Sequence, residues 1–284
     1  MKTLILLSLV TIATAGFGQR HSDHISKDIS LKNNPSVFYV ANINGNITVE
    51  AYDGKDIRVE ADRQITAKSK EKLDKGISEF GLATLDRGDT VYLYLSGICG
   101  SENWARSRAS GSKWSYYTED CRQDFDFKMD MVIKVPAGLN LYLSTINEGA
   151  VKVTGVKGTL DLHNVNGPVS AKGAAAATIA RTINGDVDLD FDLQPDSGSF
   201  YSLNGNITML LPKGFSANAT FKSFNGEIWT NVEQVSQEPL LRKEESSEKG
   251  TTFKAEVTSM ITFRQGGGLL AIETFNGDAY VREK

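Results

Sequence analysis

Short runs of alternating apolar and polar residues fill most of the chain, and a recurring unit introduces many of them. The unit reads polar, apolar, Asn, Gly, polar, apolar, any residue, apolar. It occurs at 42–49, 164–171, 182–189, 202–209, 223–230 and 274–281, and with one inserted residue at 145–153. Its Asn-Gly pairs are Asn44-Gly45, Asn166-Gly167, Asn184-Gly185, Asn204-Gly205, Asn225-Gly226 and Asn276-Gly277. Asn and Gly accept positive φ more readily than other residues, so each pair marks a structural corner. The residues that follow have the period of a half-buried strand. In 186–192 this places Val187, Leu189 and Phe191 inward and four aspartates outward on a solvated face.

The spacing of the unit makes it structural. From Gly149 to Gly167, Gly185, Gly205 and Gly226 the steps are 18, 18, 20 and 21 residues, a period expected of stacked supersecondary units. A second recurrence, Val135-Pro136-Ala137-Gly138-Leu139 and Leu211-Pro212-Lys213-Gly214-Phe215, marks strand end, turn and apolar restart. Two architectures fit. In a β-solenoid, each 18–21-residue step is one coil and like residues stack as Asn and apolar ladders. In an antiparallel meander, each Asn-Gly is a two-residue hairpin turn. The constant register favours the solenoid: an all-β, single-domain, right-handed parallel β-helix-like fold from residue 37 to 284.

Some segments depart from the repeat. Residues 56–67 and 90–95 read as strands, with Ile57, Val59 and Ala61 on one face. Between them, 69–80 carries Leu73, Ile77 and Phe80 at helical spacing, which predicts a short amphipathic helix or crossover. Two surface insertions are expected, at 96–126 and 233–250. The second is strongly polar, contains Pro239, and reads as a mobile loop. Gly266-Gly267-Gly268 reads as a turn.

The first residues have the layout of a signal peptide over 1–18. Lys2 precedes the apolar run Leu4–Ile12, and Ala13-Thr14-Ala15 places cleavage near 15–19. The run is about half the ~20 residues that span a bilayer. No later stretch is long and apolar enough to cross a membrane, so the expectation is export to the periplasm, the outer cell surface or the medium. A polar segment, 19–36, would follow the cleavage site, with His21 and His24 in disordered chain. In an oxidising compartment the two cysteines, Cys99 and Cys121, could close a disulfide worth about 3 kcal/mol; two free thiols are the alternative. Neither has metal-ligand spacing, which argues against zinc.

Composition changes the picture little: 40% hydrophobic, 23% charged, net charge −4, with 26 glycines suiting many turns. No basic stripe interleaved with aromatics suggests nucleic acid. There is no nucleophile elbow, phosphate loop or zinc-protease motif. His163 reads as a solvated strand residue opposite Leu160 and Leu162. No cofactor and no catalytic residue is assigned. The insertion at 96–126 concentrates Trp104, Arg106, Arg108, Trp114, Tyr116 and Tyr117, a candidate ligand-binding surface, with a decorated end cap as the plain alternative.

The Asn-Gly units, the Val-Pro-Ala-Gly turn and the final 266–281 segment, Gly266 through Val281, together resemble a bacterial β-strand-repeat family. That family, of unknown function and labelled "putative adhesin", is common in Bacteroidetes. The resemblance is best over 129–284 and implies an exported β-solenoid with no catalytic residues to carry over. The cysteine-bearing insertion departs from its usual pattern. The functional expectation is a non-enzymatic adhesin or structural envelope module whose partner, a surface glycan or envelope protein, the sequence does not identify. The alternative is a carbohydrate-active lyase or glycosidase on a β-helix scaffold, which needs converging carboxylates that the repeats do not display.

Overall fold

The alternation seen in the sequence becomes strand after strand with one side buried. The computed structural model describes residues 18–31, 36–98, 123–174, 177–232, 235–239, 243–247, 250–254 and 258–284. The chain begins with β1 (Gln19–Ile29), β2 (Val37–Ala41), β3 (Ile47–Tyr52) and β4 (Ile57–Ala67). Helix α1 (Lys70–Glu79) follows, then β5 (Gly81–Asp86), β6 (Thr90–Ser96) and β7 (Asp126–Pro136). The repeats supply β8 (Asn140–Ser144), β9 (Val151–Thr154), β10 (Leu160–His163) and β11 (Val169–Ala174). They continue as β12 (Ala177–Asn184), β13 (Val187–Phe191), β14 (Ser197–Asn204) and β15 (Ile207–Leu211). Next come β16 (Ala217–Lys222), β17 (Ile228–Thr230), β18 (Val235–Pro239) and β19 (Lys243–Ser247). The last elements are β20 (Gly250–Lys254), β21 (Thr258–Phe263), β22 (Leu269–Asn276) and β23 (Ala279–Glu283).

These strands form two large mixed sheets and one small hairpin. The ten-stranded sheet has the order β1-β4-β7-β3-β9-β11-β13-β15-β23-β17, and the eleven-stranded sheet β18-β21-β16-β22-β14-β12-β10-β8-β2-β6-β5. Their inner faces share one hydrophobic core. Phe191 of one sheet meets Phe200 of the other at 6.3 Å in an edge-on contact. The inward pattern expected for Val187, Leu189 and Phe191 is observed, all three being buried.

This architecture is of the β-sandwich or jelly-roll type and overturns the β-solenoid expected from the repeat. Parallel in-register pairs do occur, such as Leu160 opposite Thr178 and Val187 opposite Ile207. The sheets are nevertheless open and mixed. Antiparallel strands extend them at β1-β4-β7, at β5-β6 and at β16-β21-β18. Strand order also leaves chain order, because β22 and β23 insert between the repeat at β14-β15 and the one at β16-β17. A period near 20 residues accommodates two strands and two connections, which is what two facing layers require. Each Asn-Gly carries the chain from one sheet to the other, as between β12 and β13, so the hairpin-meander reading fails as well.

Four local expectations are resolved. Residues 70–79 form the helix, capped by the Ser69 side chain, which accepts from the Lys72 amide, and Leu73 is buried beneath it. Both Pro-x-Gly segments make the same turn, with Leu139 N donating to Pro136 O and Phe215 N to Pro212 O, each at 3.2 Å. The polar segment 19–36 is corrected, since Gln19–Ile29 pairs antiparallel with β4 along its whole length. Its inward positions include Asp23, held by a two-point contact with the Arg63 guanidinium. The expected loop at 233–250 is also corrected, since it contains β18, paired with β21, and β19, paired with β20. The signal peptide, and most of the insertion at 96–126, lie outside the described residues. Among those described, no helix is long and apolar enough to cross a membrane.

Candidate ligand-binding face

At several corners the polarity of the repeat is inverted. The polar residue before the apolar one is buried, as at Asn42, Thr145, Asn164, Thr182, Ser202 and Thr274. Buried backbone carbonyls need donors, and these side chains supply them. Thr182 Oγ1 donates to Gly167 O and Ser202 Oγ to Gly185 O, both at 2.8 Å, and Thr145 Oγ1 donates to Gly45 O at 3.0 Å. The apolar residue next to it turns outward instead: Ile183, Phe275 and Phe224 are 39%, 43% and 74% exposed.

The Asn residues form a ladder of side-chain hydrogen bonds. Asn166 Nδ2 donates to Asn147 Oδ1, Asn184 to Asn166, Asn204 to Asn184, Asn276 to Asn204 and Asn225 to Asn276, all at 2.8–2.9 Å. Asn44 instead donates to Phe127 O. The glycines stack just as closely. A Cβ on Gly167 would lie 2.0 Å from Gly149 O, one on Gly205 2.1 Å from Gly185 O, and one on Gly226 1.9 Å from Gly277 O. The six Asn-Gly pairs chosen from the sequence sit at corners where they touch the neighbouring unit or strand.

A different set of residues forms the most site-like surface. Strand register across the outer face of the eleven-stranded sheet aligns Tyr92, Tyr39, Tyr142, Asp161, Ile179, Ser199, Ala271 and Thr220 in one row. The next row runs His163, Arg181, Tyr201, Glu273, Lys222. Tyr39 stacks on Tyr142 at 4.1 Å and tilts against Tyr92 at 5.4 Å, and Tyr142 stacks on His163 at 5.1 Å. His163 was expected as a simple solvated residue. Its Nε2 instead lies 2.5 Å from Asp161 Oδ1.

Two shallow depressions mark this face. One, of about 470 Å³, is lined by Arg181, Ser199, Tyr201, Thr220, Lys222 and Glu273. The other, of about 550 Å³, is lined by Asp161, Ala177, Ile179, Ser197 and Leu269, and shares Ser199 with the first. Arg181 Nη2 donates to Ser199 Oγ at 3.3 Å, and Lys222 Nζ lies 3.5 Å from Glu273 Oε1. Exposed pairs this loose cost little to open, so these groups can exchange partners for a ligand.

A smaller hollow of about 250 Å³ lies on the outer face of the other sheet, beside His24, Glu60, Asp62, Asp130 and Lys152. His24 Nδ1 contacts Asp62 Oδ1 at 2.8 Å and Nε2 contacts Glu60 Oε2 at 2.6 Å. Hydrogen bonds to Asp62 and then Glu60 raise the imidazole pKa, and the His24 bond lowers that of Glu60. Of the aspartates read as a solvated face, Asp192 pairs with Lys157 at 3.3 Å and Lys284 at 3.4 Å, and Lys284 also contacts Asp190. Burial, with Asp186 beside it, raises the Asp188 pKa.

The sequence-based candidates Trp104, Arg106, Arg108, Trp114, Tyr116 and Tyr117, and the proposed Cys99–Cys121 disulfide, lie outside the described residues. The tyrosine and charged rows were missed. Their signal was present, because Tyr39, Tyr142 and Tyr201 each occupy an outward position of a strand, but only register places them side by side.

The chain matches no protein-family model and no curated protein sequence. Among solved structures it is similar to one described as a putative cell adhesion protein from Clostridium sporogenes. That similarity has 10% identity and a TM-score of 0.45, covering 93% of this chain and 100% of that one. A protein described as a putative adhesin from Bacteroides fragilis is 12% identical with a TM-score of 0.37, covering 92% and 97%. One described as a putative lipid binding protein from Parabacteroides distasonis is 12% identical with a TM-score of 0.28, covering 95% and 98%. Likenesses this distant carry neither ligand nor activity across to this chain.

Proposed function

We propose that the chain is a non-catalytic, exported, adhesin-like module that binds an extended glycan across the outer face of its eleven-stranded sheet. The observation that carries this reading is the pair of adjoining depressions spanning β10, β12, β14, β22 and β16. Those strands cover about 19 Å at ~4.8 Å each. Sugars present apolar C–H faces and hydroxyls together. Tyr201 offers a ring with a polar tip, and Arg181, Ser199, Thr220 and Glu273 offer donors and acceptors around it.

On this face the described residues do not offer the glycosidase or lyase alternative a close carboxylate pair. Asp161 and Glu273 are three strand steps apart, about 14 Å, too far for paired carboxylates. Ser144 lies opposite His163, yet among the described residues its buried hydroxyl has no hydrogen-bond partner that could activate it. Export rests on the apolar run at 4–12, and N-terminal sequencing of the secreted protein tests it.

The direct test of the binding face is a glycan array followed by calorimetry on wild type, Tyr201→Ala and Arg181→Ala. Binding should weaken at least about tenfold in each variant with the melting temperature unchanged. A wild-type protein that binds no glycan, or variants that bind as well as wild type, would overturn the proposal.

A further inference from the structure

The repeat corners are joined by three ladders, and at one end all three stop without a cap among the described residues. In the asparagine ladder, each Nδ2 is spent on the preceding unit, so the last member, Asn225, donates to Asn276 while no described residue donates to its own Oδ1. The residue after each glycine behaves likewise. Asp186 Oδ1 accepts from Asn206 N, Asn206 Oδ1 from Asp278 N, and Asp278 Oδ1 from Glu227 N, at 2.8–2.9 Å. The series ends at Glu227, whose carboxylate has no hydrogen-bond partner among the described residues. In the third ladder each glycine backbone lies against the carbonyl of its neighbour, and Gly226 is the last.

The opposite end is closed. There Asn44 donates to Phe127 O, Asn46 N donates to Asp130 Oδ1, and Gly45 lies under the Met129 carbonyl. Strands β7, β4 and β1 then continue the sheet. At the open end β17 is the final strand of the ten-stranded sheet, paired only with β23 among the described residues. Apolar surface collects beside it: Phe224 is 74% exposed, with one face on Phe275 at 4.9 Å, and Trp229 is 52% exposed. An unpaired edge with exposed aromatics is a template for another strand.

We propose that the β17 edge, with Phe224, Asn225, Gly226 and Glu227, is a docking site for an extended polypeptide strand. The strand would run parallel to β17 and carry the sequence apolar-Asn-Gly-(Asn or Asp)-apolar. The repeats inside the molecule specify that chemistry. The incoming Asn amide donates to Asn225 Oδ1, and the backbone N–H after the incoming glycine donates to the Glu227 carboxylate. The glycine itself fits where no Cβ can, and the apolar side chain covers the free face of Phe224. A head-to-tail second copy does not fit, because the matching end of the molecule is already covered by β7, β4 and β1.

The test is fluorescence anisotropy with a labelled peptide copying residues 272–283. Two further peptides are a scrambled version and one with valine at the glycine corresponding to Gly277. The wild-type chain should bind the copy saturably and bind neither control. Phe224→Ser and Glu227→Ala, both at exposed positions, should each weaken binding at least about tenfold with an unchanged circular-dichroism melt. Equal binding of the valine peptide, or no binding of the copy, would overturn the proposal. So would a wild-type dimer in sedimentation that Phe224→Ser dissociates, since the edge would then already be occupied by a second copy.

Discussion

Gly185 lies so close beneath Gly167 that a Cβ built on it would sit 2.3 Å from the Gly167 carbonyl oxygen. The sequence suggested a corner that needs positive φ, but Gly185 has no positive φ and only the close approach forbids a side chain. Gly185→Ala should therefore cost about 1–3 kcal/mol, since backbone rather than a flexible side chain must move. Gly138 is the control: a Cβ there meets nothing within 4 Å and its φ is not positive. Gly138→Ala should be neutral or stabilising by up to about 1 kcal/mol. Urea denaturation of both variants checks the contrast, and similar midpoints would refute the stacking explanation.

The asparagine ladder makes a second prediction. Asn184 donates to Asn166 and accepts from Asn204, each at 2.8 Å. Asn184→Ala removes both bonds and should cost about 1–2 kcal/mol. Asn184→Asp keeps the acceptor toward Asn204 but loses the donor to Asn166, so it should fall between wild type and alanine at neutral pH. Denaturation midpoints in that order support the ladder; an alanine variant as stable as wild type does not.

What the sequence made legible is what lies within a strand or recurs from unit to unit. The alternation in 57–61 and in 187–191 reads directly as buried Ile57, Val59, Ala61, Val187, Leu189 and Phe191. The asparagine ladder follows from the constant position of Asn in the unit. Closure was not legible. A repeat with one inward face satisfies itself in a coil or in two facing sheets, and the choice depends on β4, β7, β18 and β21, which lie outside the short unit. The β1 strand was hidden because its inward positions include Asp23, paired with Arg63 about 40 residues away, rather than an unbroken apolar series. The tyrosine row was hidden because Tyr39, Tyr92 and Tyr142 become neighbours only through pairing between distant strands.

A third prediction concerns the turn after β21. Arg264 adopts φ 53° and its guanidinium reaches Glu283 at 2.9 and 3.0 Å and the Phe215 carbonyl at 2.6 Å. It also lies over the Phe215 ring at 5.7 Å. Glu283 accepts from the Gly214 amide as well, and that bond, followed by Arg264, lowers its pKa. A lysine supplies the charge but not the planar fork. Arg264→Lys should lose about 1–2 kcal/mol and expose the β21–β22 turn to limited proteolysis, whereas Lys213→Arg nearby should do neither.

The last prediction follows from His24, which ties the first strand to β4. Its pKa is raised above the ordinary 6.5 by Asp62 first and Glu60 second. A raised imidazole pKa contributes stability fully present below 6.5 and lost as pH rises through the folded value. Glu60 is lowered from 4.5 by its His24 and Ser26 hydrogen bonds, so its contribution is present above 4.5 and lost as pH falls through the lowered value. Asp23, lowered from 3.8 chiefly by Arg63, acts in the same direction. The β1 strand should therefore be held most firmly between about 4.5 and 6.5 and loosen on the alkaline side as His24 deprotonates. Hydrogen exchange, corrected for its intrinsic pH dependence, should show β1 amides losing protection relative to β3 between about pH 6 and about pH 9. His24→Gln should flatten that difference. If wild type and His24→Gln lose β1 protection equally over the range, the two-carboxylate grip on His24 is not what fastens the strand.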